Sequence, residues 1–230
     1  VDFELRDIVT MIDHALLTPT LTMAELEAGC KLAADHGVAS VCIMPYYLKR
    51  CSDLLVGTEV KPSTTIGFPH GNSTIQTKQS AAVQALEDGC QELDMVVNIS
   101  QVLSGNWAYV RQEIQTIVEI SHAAGQKVKV IFENCYLQDQ HKRMLCQICS
   151  ELHADWVKTS TGFGTGGAIL EDLKLMVENT ADHVQVKAAG GIGDLKTLLQ
   201  ARALGVTRIG TSRTQELLQE CRRHLEIAAG

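Results

Sequence analysis

No apolar run in this chain approaches the ~20 residues that a membrane-spanning helix needs. There is no block of like charge either. The 20 Lys and Arg are dispersed among 27 Asp and Glu, for a formal net charge of −7. Nucleic acid and anionic membranes are therefore not expected as partners. The opening stretch VDFELRD is acidic and has no apolar core, so a signal peptide is not expected there. Linkers and low-complexity segments are also missing. A disulfide scaffold does not fit. Its hosts are short and loop-rich, whereas here Cys30, Cys42, Cys51, Cys90, Cys135, Cys146, Cys149 and Cys221 are scattered through 230 residues. A reducing, cytoplasmic setting is the expectation.

The cysteines at 146 and 149, with His141 and His153 nearby, offer four candidate zinc ligands. Met144, Leu145, Ile148 and Leu152 recur at helical spacing through the same stretch. Cys149 lies on that stripe, where a free thiol behaves as a small hydrophobe. Core packing is the better reading, and no metal is expected.

The composition that remains is ordinary for a globular protein, 45% apolar and 20% charged. Short apolar runs alternate with longer amphipathic ones. Strands are expected at 10–15, 39–44, 63–68, 92–97, 127–133, 155–160, 183–188 and 207–211. Helices are expected at 22–36, 46–56, 74–88, 100–123, 138–152, 168–177, 194–204 and 214–227. Strict alternation implies parallel strands with helical crossovers. Eight such units point to an α/β fold, a single (β/α)8 TIM barrel over residues 1–230. A doubly wound open sheet is the alternative. Asp194 and the pair Thr22 and Glu25 suit helix starts. Gly37, Gly89, Gly125 and Gly205 suit helix ends.

Barrel active sites form where the strands end at their C-terminal side. Asp13, Cys42, Asp94, Asn98, Lys129, Glu133, Lys158, Lys187 and the segment 210–212 fall near those ends. Two lysines stand out. Lys158 lies in ADWVKTSTGF and Lys187, 29 residues later, in HVQVKAAGGI. A lysine in a buried strand is costly unless paired or functional. On neighbouring strands the two ammonium groups would repel by roughly 3 kcal/mol at ~5 Å and an effective dielectric of ~20. That would lower Lys158 enough to leave free amine at neutral pH, as a Schiff-base nucleophile requires. Two adjacent cations do not stabilise a fold. Asp94 with Lys129 can equally be a structural ion pair. Cys42 reads as packing or pocket wall. His14 and His70 are candidates for proton transfer or for ordinary polar contacts. The glycine turns after strands seven and eight sit where barrels often bind phosphate.

Taken together, IDHALL at 12–17, VCIMP at 41–45, IGFPHG at 66–71, ELDMVVN at 92–98, KVIFE at 129–133, VKTSTGF at 157–163, VKAAGG at 186–191 and RIGTS at 208–212 resemble the deoxyribose-phosphate aldolases. These are class I, cofactor-free enzymes. The resemblance implies a (β/α)8 barrel, no cofactor, and reversible condensation of acetaldehyde with glyceraldehyde 3-phosphate to 2-deoxyribose 5-phosphate. It assigns Lys158 as the Schiff-base lysine, Lys187 as its pKa partner and Asp94 as the proton-transfer acid. Asp13, Cys42 and Lys129 would line the pocket. Thr161, Gly162, Gly190, Gly191, Gly210 and Ser212 would hold substrate, chiefly its phosphate. The family commonly forms a homodimer, which exposed apolar faces of the outer helices would support.

Several positions depart from the family pattern. Gly193 stands where arginine is common, Arg213 where a small residue is common, Ala15 where threonine is and Thr18 where lysine is. Arg213 is accordingly a further candidate phosphate ligand, with a solvent-facing arginine as the alternative. Some members end in a tyrosine. This sequence ends at Gly230 without one, so a relay built without it is expected. Two other readings remain open from the residues alone. One is another Schiff-base barrel enzyme, such as a transaldolase or a pyridoxal enzyme. The other is a sugar-phosphate-binding barrel without catalysis.

Overall fold

Eight short strands close into an all-parallel barrel in the computed structural model, which describes residues 3–229. Val1, Asp2 and Gly230, the ends of the expected domain and of the expectations about a leader and a terminal tyrosine, lie outside the described residues. The strands are β1 (Ile12–Leu16), β2 (Ser40–Ile43), β3 (Lys61–Ile66), β4 (Glu92–Val96), β5 (Lys127–Ile131), β6 (Trp156–Lys158), β7 (Gln185–Ala189) and β8 (Arg208–Thr211). They pair in sequence order, and β8 returns to β1. Closure removes the open sheet as an alternative.

The helices are α1 (Leu5–Val9), α2 (Met23–His36), α3 (Leu48–Leu54), α4 (Ile75–Glu87), α5 (Ile99–Leu103), α6 (Trp107–Ala123), α7 (Asp139–Glu151), α8 (Leu170–Asn179), α9 (Leu195–Ala203) and α10 (Thr214–Ala229). Their ends follow local chemistry. Thr22 and Glu25 exchange side-chain and backbone hydrogen bonds at the start of α2, and Gly37 closes it at φ 68°. On its inner face Leu26, Gly29, Cys30 and Ala33 are buried at helical spacing. The strands are covered in the same way all round, so the main core lies between the barrel and its helices. Cys146 and Cys149 are buried in that layer on α7. Among the described residues no group of three or more His, Cys, Asp or Glu is placed to hold a metal ion.

Two elements differ from expectation. The helix expected at 100–123 is two helices, because Gly105 turns left-handed at φ 67° and the Asn106 side chain starts α6 afresh. The short α1 was not foreseen. Its five residues are too few for a periodic signal.

A buried ion pair fixes the top of β4 from outside the barrel. Lys78 on α4 donates to Glu113 on α6 at 2.6 Å and to the Val96 carbonyl at 2.7 Å. Glu113 in turn accepts the Asn98 N–H at 2.6 Å. Both side chains are fully buried. Removing one partner of such a pair strands a charge, whereas removing both does not. Lys78→Met should therefore cost roughly 3–5 kcal/mol in urea unfolding. The double variant Lys78→Met with Glu113→Leu should recover most of that loss.

Candidate active site

Inward-facing polar residues are stacked along the barrel axis because alternate strand positions point to the same side. The register sets Asp94 beside Lys129, Ile131 beside Lys158, and Lys158 beside Lys187. Three amines converge on one carboxylate. Lys158 Nζ lies 2.6 Å and Lys187 Nζ 2.8 Å from the same oxygen, Asp94 Oδ2. Lys129 donates to Asp94 Oδ1 at 2.8 Å. Asp13 pairs with Lys187 and lies 3.4 Å from Lys129. Below them Glu92 forms an ion pair with Lys129 at 2.6 Å and takes both arms of the Arg208 guanidinium, at 2.8 and 3.2 Å.

The charges order themselves. Burial pushes Asp94 upward, but Lys129, Lys158 and Lys187 outweigh it and hold the carboxyl well below its ordinary value. Asp13 is lowered in the same way against burial by Lys129 and Lys187. Lys129 is held well above the lysine range against burial, by Asp13, Asp94 and Glu92. The two mouth lysines part company. Burial lowers Lys187, and the attraction of Asp13 and Asp94 does not restore it, with Lys158 and Lys129 adding repulsion. Lys158 is held up against burial by Asp94. The expected repulsion between the two lysines is present, but at Lys158 the attraction of Asp94 outweighs it. An acid shared between the two lysines was missing from the pairwise estimate, and the amine held low is Lys187.

Above the network opens a cavity of about 690 Å3. Asp13, Cys42, Lys158, Thr161, Lys187 and Arg213 reach it, as do Gly162, Gly190, Gly191, Gly210 and Ser212. One carboxylate oxygen, Asp13 Oδ1, is buried there with no hydrogen-bond partner among the described residues. The Cys42 thiol is pushed up to about 11 by burial and by Asp94, so it is a neutral wall at physiological pH. Gly190 has φ 81°, and a Cβ there would come within 3.0 Å of the Gly167 backbone, so the turn passes where only glycine fits. Arg213 folds across the turn beside it. A Cβ on Gly193 would lie 3.0 Å from Arg213 Nη1, so the guanidinium occupies the space a side chain at 193 would need.

Lys129 is the expected pocket residue that the structure places elsewhere. It is fully buried, does not line the cavity and touches three carboxylates, so it is part of the floor. Thr161 lines the cavity, but its hydroxyl pairs with Glu133, which also accepts the Thr161 N–H at 3.2 Å. Glu133 thus holds this turn rather than ending β5. Asn98 accepts from Gln101 N–H at the start of α5, and His70 lines a separate cavity of about 230 Å3. The sequence reading missed Arg208 and the role of Glu92. Both were within reach, since Glu92 shares the period-two face of Asp94 and Arg208 that of Gly210.

A family model described as DeoC/LacD family aldolase matches residues 8–210. The chain belongs to that family. A deoxyribose-phosphate aldolase of Rhodopirellula baltica is 62% identical over 99% of this chain and 95% of its own length. One from Caldanaerobacter subterraneus is 44% identical over 95% of each. Among solved structures, a tetrameric deoxyribose phosphate aldolase from Aeropyrum pernix superposes with a TM-score of 0.89 at 30% identity, covering 95% of this chain and 92% of that one. In this aldolase-family barrel no helix among the described residues is long and apolar enough to cross a membrane.

His14 lies outside the catalytic arrangement. Its Nδ1 is 2.8 Å from Thr214 Oγ1, tying β1 to the first residue of α10. Burial lowers it to about 4 despite Asp13 and Glu216. A histidine kept neutral in the folded chain takes up a proton on unfolding once the pH falls below ~6.5. Stability should therefore fall between about pH 6.5 and 4, by on the order of 3 kcal/mol from this residue. Urea unfolding of His14→Gln should show that much less pH dependence across the window.

Proposed function

We propose that the chain interconverts 2-deoxyribose 5-phosphate with acetaldehyde and glyceraldehyde 3-phosphate through a Schiff base on Lys158. The observation that carries this reading is the pair of mouth lysines on one oxygen of Asp94, facing the open cavity. Lys187, held below the ordinary lysine value, is the amine of the pair that more readily gives up its proton. It takes the Lys158 proton by way of Asp94 Oδ2. Free Lys158 then attacks the C1 aldehyde, and the carbinolamine hydroxyl leaves as water with the proton that Lys187 had received. The iminium draws the C2–C3 bonding electrons toward nitrogen as the C3 hydroxyl loses its proton. Glyceraldehyde 3-phosphate departs and leaves an enamine. Protonation at C2 and hydrolysis then release acetaldehyde and restore Lys158. Asp13 Oδ1 is free to accept the C3 hydroxyl. Asp94 and Lys187, through water, move the remaining protons. The chain's own amine supplies the electron sink, so the reaction calls for neither metal nor organic cofactor.

The phosphate is placed against Gly162, Gly190, Gly191, Gly210 and Ser212, with Arg213 adding a charge-assisted pair. Backbone amides at the start of α10 and the helix dipole contribute to the same end. The reading also includes one catalytic barrel over the whole sequence, a cytoplasmic setting and self-association, the last in keeping with the tetrameric Aeropyrum relative.

Borohydride reduction with acetaldehyde should attach a two-carbon group at Lys158, found by peptide mass mapping, and Lys158→Ala should abolish both label and turnover. Label on Lys187 instead, or on neither lysine, would remove Lys158 from the nucleophile's role. For the phosphate, Arg213→Ala should raise KM for deoxyribose 5-phosphate several-fold and leave turnover of unphosphorylated deoxyribose nearly unchanged. An equal response of both substrates, or of neither, would rule out Arg213 as a phosphate ligand.

A further inference from the structure

Among the described residues the barrel interior holds one connected network of four cationic side chains, Lys129, Lys158, Lys187 and Arg208, and three carboxylates, Asp13, Glu92 and Asp94. Each strand's contribution can be placed. Asp13 comes from β1, Glu92 and Asp94 from β4, and the four cations from β5 to β8 in turn. On β2, Cys42 is a thiol pushed up to about 11, and β3 offers the interior the uncharged Ser63 and Thr65, its Lys61 being exposed, as is Lys127 at the start of β5, 5.0 Å from the Trp156 ring centroid. Cys90, just ahead of β4, is pushed up to about 12 by burial and is likewise neutral. With every group ionised, the network would carry one uncompensated positive charge in a nearly dry interior, which is costly.

The excess can leave only from a lysine. The carboxylates are already held ionised, and a guanidinium does not give up its proton in a protein. Arg208 is therefore the permanently charged member. It is 9% exposed, does not line the cavity, and stacks 4.8 Å from the Trp156 ring centroid. Its side chain reaches the mouth lysines in relay, through Glu92 and Lys129 and then Asp94 or Asp13, while its backbone pairs in register with that of Lys187.

We propose that Arg208, on the barrel floor and out of reach of substrate, is a positioning residue for charge: its fixed cation obliges one lysine of the network to stand as free amine. This rests on the reading of Lys158 as the Schiff-base lysine. The network then stays balanced through the reaction. When Lys187 takes the Lys158 proton, one cation replaces another. When that proton leaves in the water molecule, the iminium on Lys158 takes the place of the lost ammonium. Without Arg208, three carboxylates would match three lysines, and each lysine would keep its proton.

The test is the pH dependence of kcat/KM and of borohydride trapping at Lys158. Arg208→Gln should move the acid limb of both upward by about one pH unit, from Coulomb's law across roughly 10 Å at an effective dielectric of ~20. The rate at pH 7 should fall about tenfold and recover in alkali. Glu92→Gln, which deepens the excess, should move the limb downward. The double variant should return it to the wild-type position, because three cations facing two carboxylates restore the wild-type excess of one. Opposite shifts of this kind are not produced by loosened packing. A folded Arg208→Gln with an unmoved limb, or two single variants that shift the same way, would overturn the proposal. If neither single variant folds, a displaced limb in the double variant would overturn it. Wild-type protein that takes no label at Lys158 would instead remove the Schiff-base reading itself.

Discussion

The site depends on a carboxylate that is shared rather than owned. Asp94 meets Lys129 on one oxygen and both mouth lysines on the other. In a fully buried position a lone aspartate would sooner take up a proton than remain charged. Three ammonium neighbours reverse that and keep Asp94 ionised and fixed. The same contacts hold the lysines, which would otherwise repel one another and turn toward solvent. Lys158, Lys187 and the floor cation Lys129 are thus ordered by one group.

This arrangement suits the proposed nucleophile, Lys158, whose own affinity for protons is raised. What Asp94 favours at Lys158 is positive charge on nitrogen, and the iminium carries that charge as the ammonium does. A site that merely lowered the pKa of Lys158 would be poised for attack but would offer the iminium little. Here Lys187 is the amine held below its ordinary value, and the shared oxygen joins the two nitrogens. The barrel contributes strand ends close enough for groups from β1, β4, β6 and β7 to meet, with the ion pair of Lys78 and Glu113 bracing β4 from behind.

Much of the fold was legible because its signals are local. Apolar runs, capping residues such as Thr22 and Glu25, and glycines such as Gly37 mark each element without reference to distant chain. Gly105 was visible as well, but the apolar positions on either side of it masked the break between α5 and α6. The site was legible by residue and less so by charge. Lys158 and Lys187 announce themselves as lysines in buried strands, and the family resemblance supplied their roles. Which amine is held low could not be read from a pair of lysines alone, because it is decided by burial set against Asp94 and Asp13, brought in from other strands. Lys129 was assigned to the pocket by the family resemblance, and strand alternation could not correct this because it gives a residue's face and not its depth. Arg208, at the start of its strand, lies at the end of the barrel opposite the mouth, so attention to strand ends passed it by.

In the resting network Lys187 is expected to be the lysine that lacks its proton, with Lys158 charged against Asp94. A pH titration of side-chain amine nitrogens in lysine-labelled protein, followed by NMR and assigned with single lysine variants, tests it most directly. Lys187 should lose its proton at lower pH than Lys158, with Lys129 an ammonium throughout. Deprotonation of Lys158 ahead of Lys187, or three ammonium groups persisting together into strong alkali, would contradict the account.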